Sequence, residues 1–196
     1  MSRIKKNIDE AKSNGGFADL VPFEFSNDLT LVCFDDIMAE YQLLDKPSFL
    51  ALLRAQYAAS TSGPAGQPAR WGLVNAVLAR VLRSKIAPGA EGELSFVVDA
   101  SYRNATLVIH ELILQQPSLL SIQALLAMAI FAKEVSDNQA YYMLSTNAAR
   151  QVESLDIGSL TADPGSLHQY KQACRVAYML SADADQRSKQ ASGLGQ

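Results

Sequence analysis

Apolar residues recur along the chain at steps of three and four, the period of a helix with one buried side. Tyr141, Leu144, Ala148, Val152 and Leu155 form the clearest stripe, and Phe49, Leu50, Leu53 and Tyr57 share a face in the same way. Trp71 to Leu82 is apolar almost all round. That pattern predicts a central helix rather than a superficial one. Asn75 lies inside it and needs a hydrogen-bond partner once buried. A long helix is predicted from about Ser95 to Gln115, with Phe96, Tyr102, Ala105, Leu107, Ile109 and Leu112 as its core contributors. The next carries Ile122, Leu125, Leu126, Ala129 and Ile130 and ends near Val135 to Asn138. A last helix has Leu167, Tyr170, Cys174, Ala177 and Tyr178 as its expected buried stripe.

Breakers fall between these runs. Asp45 and Pro47 mark a helix start, since proline is tolerated in the first turn. Ser60 to Ala69, with Gly63, Pro64, Gly66 and Pro68, reads as a loop. Pro88, Gly89 and Gly92 break the chain again, and Gln116-Pro117-Ser118 is a stop and restart. Gly158 is expected to close the Tyr141 helix at its C-terminal end. Asp163-Pro164 pairs a capping acceptor with proline at the first helical position. Phe96-Val97-Val98 and Leu29 to Phe34 are the only short β-like runs, and no repeat of fixed period is found. The expected fold is therefore all-α, a multi-helix array of about six helices after residue 30 with short loops. Residues 1–16, ending in Ser13-Asn14-Gly15-Gly16, read as a flexible leader. Residues 17–185 read as a single helical domain, and residues 186–196 as a frayed polar tail.

Composition narrows the partners. Of 196 residues, 48% are hydrophobic and 19% charged, a balance that argues against disorder. Lys and Arg total 17 against 20 Asp and Glu, a net charge of -3. Direct nucleic-acid binding normally needs a basic excess, because phosphate neutralisation supplies most of the affinity. The longest apolar run, Leu119 to Ala132, is broken by Ser121 and Gln123 and falls short of the roughly 20 residues a bilayer requires. No secretory signal follows Met1. The expectation is a soluble, intracellular protein with no membrane partner.

Candidate chemistry is sparse. Asp35, Asp36 and Glu40 spell DDxxxE, similar to the acidic cluster with which helical terpene synthases hold magnesium against diphosphate. The second metal motif of those enzymes is not found. The plainer reading is that Asp35 caps a helix and its neighbours favour the helix N-terminus. His110-Glu111 begins like HExxH, but position 114 is Leu, so no zinc protease site results. His110 is expected to be partly buried with one partner, and His168 exposed. The two cysteines, Cys33 and Cys174, rule out a disulfide scaffold or a cysteine-built zinc site and read as small core residues. Trp71 reads as a core anchor. Phosphate-loop, dinucleotide and nucleophile-elbow motifs are lacking. No catalytic or metal-binding residue is therefore assigned. Between Phe17 and Asp45, the acids Asp19, Glu24, Asp28, Asp35, Asp36, Glu40 and Asp45 occur with no Lys or Arg among them. That block invites comparison with acidic activation segments. Ile37, Met38, Tyr41 and Leu44 at helical spacing favour an ordinary helix whose acids face water.

The order of the motifs adds a resemblance. Leu44-Asp45-Lys46-Pro47-Ser48-Phe49 is followed by Trp71 to Ala79, then Tyr102-Arg103-Asn104-Ala105, then Pro117 to Leu126. Ala140-Tyr141-Tyr142-Met143-Leu144 with Ala148-Ala149-Arg150 comes next, and Arg175 to Asp185 with Gly193 comes last. Over about residues 40–194 this succession resembles the fungal-specific transcription factor domain, the middle homology region of fungal binuclear zinc cluster regulators. Leu155-Asp156-Ile157-Gly158 departs from that family's Leu-Gly-Leu-His-like segment. Arg175-Val176-Ala177-Tyr178 stands where the family has an Arg-rich, Phe-Trp segment.

The resemblance implies a regulatory, non-catalytic domain in the nucleus. DNA binding and zinc would belong to a six-cysteine cluster absent from these residues, and the domain would be truncated at its C-terminus. Protein partners, self-association or a small-molecule effector would be what it contacts. Truncation would leave the stripe around Cys174 and Tyr178 uncovered, and such patches drive association. Two other readings are a stand-alone relative acting through protein partners and a helical diphosphate-binding enzyme using Asp35, Asp36 and Glu40.

Overall fold

The computed structural model of the chain describes residues 2–86, 94–156, 158 and 164–193. Among these residues there are nine helices and no strand. They are α1 (Ser2–Ser13), α2 (Phe23–Met38), α3 (Lys46–Ala59), α4 (Pro68–Arg83), α5 (Ser95–Thr106), α6 (Ile109–Leu114), α7 (Leu119–Glu134), α8 (Asn138–Ser154) and α9 (Pro164–Gly193). The all-α class agrees with the sequence pattern, and seven helices begin after residue 30 against the expected six or so.

Two helices without a polar face occupy the centre. Every residue from Trp71 to Leu82 of α4 and from Ser121 to Ala132 of α7 is buried. Helices α4 and α7 pack on each other; α5, α2 and α3 cover α4, while α8 covers α7 and is itself covered by α9. Trp71 meets Phe17 edge-on, with ring centroids 5.4 Å apart. The required partner of Asn75 is double. Its Nδ2 donates to Trp71 O at 2.9 Å, and its Oδ1 accepts from Asn104 Nδ2 at 3.1 Å.

Helices α3 and α7 start at capping signals. Asp45 accepts from the Ser48 backbone N–H at 2.8 Å, with proline in the first turn of α3. Ser118 and Ser121 form a reciprocal capping box at the start of α7.

Several sequence expectations are corrected. The leader is not loose. Helix α1 spans Ser2–Ser13, and its Ile8 is buried with Ala18 and Val21 against Val97, Val98 and Phe131. Half-buried Ala11, one turn on, packs against the same cluster. The Leu29 to Phe34 run is helical within α2, and Phe96 to Val98 lies in α5. The predicted Ser95 to Gln115 helix divides into α5 and α6. At the junction Val108 N–H reaches back to Ala105 O at 3.4 Å, a three-residue step in place of four. That step turns Val108 into the core and leaves Leu107 exposed.

Gly158 does not cap α8. The helix ends at Ser154 with Leu155 extended (φ -73°, ψ 128°), and Gly158 N–H instead bonds Asp156 Oδ1 at 2.9 Å. The buried stripe of α9 is Ala173, Val176, Ala177, Leu180 and Ala184, with Tyr178 52% exposed. Small residues bring α9 close to α8, where tyrosines would hold it off. The polar tail continues as helix to Gly193 and is exposed from Asp185 to Gln190. The breakers Pro88, Gly89 and Gly92, the capping position Asp163, Ile157 and residues 194–196 lie outside the described residues.

Candidate functional site

Charged side chains gather where α2, α4 and α7 end and α5 begins. These ends enclose a cleft of about 1030 Å³ lined by Asp36, Ile37, Glu40, Arg80, Arg83, Asp99 and Glu134 among others. Arg80 is the one charge within the apolar run of α4, and it is 5% exposed. Its Nε and Nη2 both donate to Glu134 Oε1, at 2.8 and 2.7 Å. A guanidinium so far from water requires such a partner. With that pair neutralised, the carboxylates Asp36, Glu40 and Asp99 outnumber Arg83 on the cleft wall. Among its described lining residues the cleft is acidic.

A second polar node lies at the same end of α7. Lys133 Nζ donates to Tyr41 Oη at 2.7 Å and lies 3.5 Å from Asp183 Oδ2 and 3.9 Å from Glu40 Oε1. Asp183 Oδ2 also accepts from Tyr141 Oη at 2.8 Å and Arg187 Nε at 2.9 Å. Lys133 and Arg187 sit over the Tyr141 ring, at 5.9 and 5.7 Å from its centroid. Burial alone would raise the Asp183 carboxyl; the Tyr141 hydroxyl, Lys133 and Arg187 outweigh it and hold it below its ordinary value. Burial, with the bond to Asp183, pushes the Tyr141 hydroxyl up. The node joins the segment after α2, the end of α7, α8 and α9 around one carboxylate.

The acidic triplet seen in the sequence is not assembled into a metal site. Asp35 pairs with Lys46 Nζ at 2.5 Å, whereas Asp36 and Glu40 line the cleft. Among the described residues no group of three His, Cys, Asp or Glu side chains is placed to hold a metal ion. Nor does Asp35 cap a helix. Helix α2 begins at Phe23 after Pro22, so Asp35 and Asp36 fall in its last turn. Negative charge is unfavourable there, and Lys46 offsets it for Asp35.

His110 is exposed rather than partly buried, because α6 is one short helix with only Leu112 buried. His168 is exposed as expected. Cys33 is buried in the core, and Cys174 is half-buried beside it. The sequence reading missed the Lys133 node and the Arg80–Glu134 pair. The signal for the second was the arginine in an otherwise apolar run.

Among the described residues the fold is helical throughout, built on two apolar central helices with charged groups paired at one end. The chain belongs to the fungal specific transcription factor domain family, whose model matches residues 33–187. It is 28% identical over 180 residues to an ABC-transporter-regulating transcription factor of Aspergillus oryzae, covering 88% of this chain and 20% of that protein. The protein of the same description from Aspergillus fumigatus gives 28% identity, 88% of this chain and 19% of its own length. The Fusaridione A cluster transcription factor of Fusarium heterosporum is 29% identical over 124 residues, 63% of this chain and 23% of that protein. The chain thus spans about a fifth of the length of the curated relatives it matches. No solved structure matches. Among the described residues no helix is long and apolar enough to cross a membrane.

Proposed function

We propose that this chain is a regulatory, non-catalytic domain acting in transcription in the fungal nucleus, with DNA contact made by a zinc cluster outside these residues. The match to the family over residues 33–187 carries the reading. Chemistry agrees with it. A net charge of -3 is not the basic excess that phosphate neutralisation favours, and two cysteines cannot build a six-cysteine cluster. No cofactor is assigned to the chain, and residues 17–185 act as one unit because α4 and α7 are shared by nearly every other helix. Its contacts are with proteins or with a small effector, for which the acidic cleft has the volume.

The test is a fusion of the chain to a heterologous zinc-cluster DNA-binding domain in a fungal reporter strain. Reporter output should change several-fold relative to the DNA-binding domain alone. An unchanged output at equal protein level would refute a regulatory role.

A further inference from the structure

Helix α2 buries one face through Ser26, Thr30, Cys33, Phe34, Ile37 and Met38. Its other face carries Phe25, Leu31 and Val32 at 43%, 46% and 68% exposure. A single exposed apolar residue is ordinary. Here three share the solvent side of one helix, with Phe25 and Val32 two turns apart. The same arc holds the exposed acids Glu24, Asp28, Asp35 and Asp36. Between Phe17 and Asp45 there is no Lys or Arg, and the first cation beyond, Lys46, is engaged with Asp35. Around the helix, Phe25 and Val32 form one apolar strip with Asp28 on one side and Asp36 on the other, and Leu31 lies beyond Asp28 and Asp35.

We propose that the outer face of α2 docks a partner protein through a basic amphipathic helix, one whose apolar stripe is flanked by Lys and Arg. Charge complementarity selects this occupant. An acidic helix would bring carboxylates against Asp28 and Asp36, whereas a basic one pairs with them while its apolar stripe covers Phe25 and Val32. A second copy of this chain is a poorer fit. Its basic helix α1 already spends Ile8 in its own core, and the chain as a whole is acidic. The proposal rests on the regulatory reading, since it supplies the kind of contact such a domain needs, but the two fail separately. The reporter measures regulation and the experiment below measures the face alone.

The probe is a fluorescein-labelled leucine–lysine peptide patterned as an amphipathic helix, with its leucine–glutamate counterpart as control, titrated against the full chain by anisotropy. The lysine peptide should bind, with affinity falling as salt rises, and the glutamate peptide should bind at least tenfold more weakly. Phe25→Ala with Val32→Ala leaves every charge in place and should weaken binding at least tenfold. Glu24→Gln with Asp28→Asn should flatten the salt dependence. Tyr178→Ala, an exposed aromatic on α9, should change nothing. These side chains are exposed, so thermal melts of the variants should match the unmodified chain. Absent binding, equal binding of both peptides, or indifference to Phe25→Ala/Val32→Ala overturns the proposal. So does sedimentation showing a dimer that the same pair dissolves, because the face then belongs to a second copy.

Discussion

Asn104→Ala should be among the most damaging polar substitutions in the chain. Its side chain is 1% exposed. Oδ1 accepts from Ala18 N–H at 2.8 Å, and Nδ2 donates to Ala18 O at 2.8 Å and to Asn75 Oδ1 at 3.1 Å. One amide therefore satisfies both peptide groups of Ala18 and the acceptor of a second buried asparagine. A made bond contributes roughly 1 kcal/mol net, and a buried group left unpaired costs roughly 1–3 kcal/mol. With three bonds lost, the expected destabilisation is about 3 kcal/mol. For a chain of this size that is a fall in melting temperature of about 6–12 °C. Urea unfolding followed by fluorescence suits the test, because Trp71 is the single tryptophan and stacks edge-on against Phe17, next to Ala18. The midpoint should drop with an unchanged denaturant slope. The Ala18 amide should exchange its hydrogen faster than the amides of α4. A double-mutant cycle with Asn75→Ala should show coupling of about 1 kcal/mol. A loss below about 1 kcal/mol, with Ala18 exchange unaltered, would mean the clamp is not what holds residues 17–22 on the core.

Three further outcomes are expected. Gly72 lies where α4 meets the α5–α6 turn, and a methyl group there would come within 3.1 Å of Val108 Cγ2 and 3.3 Å of Met128 Cε. Gly72→Ala gains up to about 1 kcal/mol of helix propensity but forces a buried, β-branched neighbour to move. A net loss of about 1 kcal/mol is expected, and a raised melting temperature would refute the close packing. Glu134→Ala strands the Arg80 guanidinium and should cost about 3 kcal/mol in urea unfolding, largely recovered by the further change Arg80→Met. Absence of that recovery would show that the pair contributes by packing and not by charge. Asp183 has its carboxyl held below the unfolded value of about 3.9, so its contribution is present above that pH and lost as pH falls through the folded value. The stability difference between the unmodified chain and Asp183→Asn should therefore be constant near neutrality and shrink below about pH 4. A difference independent of pH would rule out the ionic part of the node.

What the sequence discloses of this fold is graded by how far burial is uniform. Helices α4 and α7 are legible because they are apolar on every side, and no choice of face is needed to place them. Asp45 and Ser118 are legible because a cap is a local event, decided within three residues of its own position. Helix α9 is not, because it carries two candidate stripes. One is Leu167, Tyr170, Cys174, Ala177 and Tyr178; the other is Ala173, Val176, Ala177, Leu180 and Ala184, with Ala177 common to both. Hydrophobicity favours the first. Fit against α8 favours the second, since alanines let two helices approach where tyrosines cannot, and fit is a property of the neighbour. The division of α5 from α6 has the same origin, since nothing before Gly72 and Val108 meet requires the ladder to shift.

The charged features were least legible, for a related reason. Asp35, Asp36 and Glu40 are close in sequence yet serve different neighbours, Lys46 for the first, the cleft for the second, and the cleft with Lys133 for the third. Lys133, Tyr41, Tyr141 and Asp183 are scattered over four segments yet meet within hydrogen-bond reach. A motif in the sequence reports a shared function only when one element presents all its residues to one side, and adjacent helical positions diverge by construction. The outer face of α2 meets that condition. Phe25 and Val32, two turns apart, are presented together with Asp28 and Asp36 beside them by one helix whose opposite side is anchored in the core. The acidic, apolar block between Phe17 and Asp45 is thus both an ordinary buried helix and an exposed acidic surface. Its two descriptions are the two sides of α2.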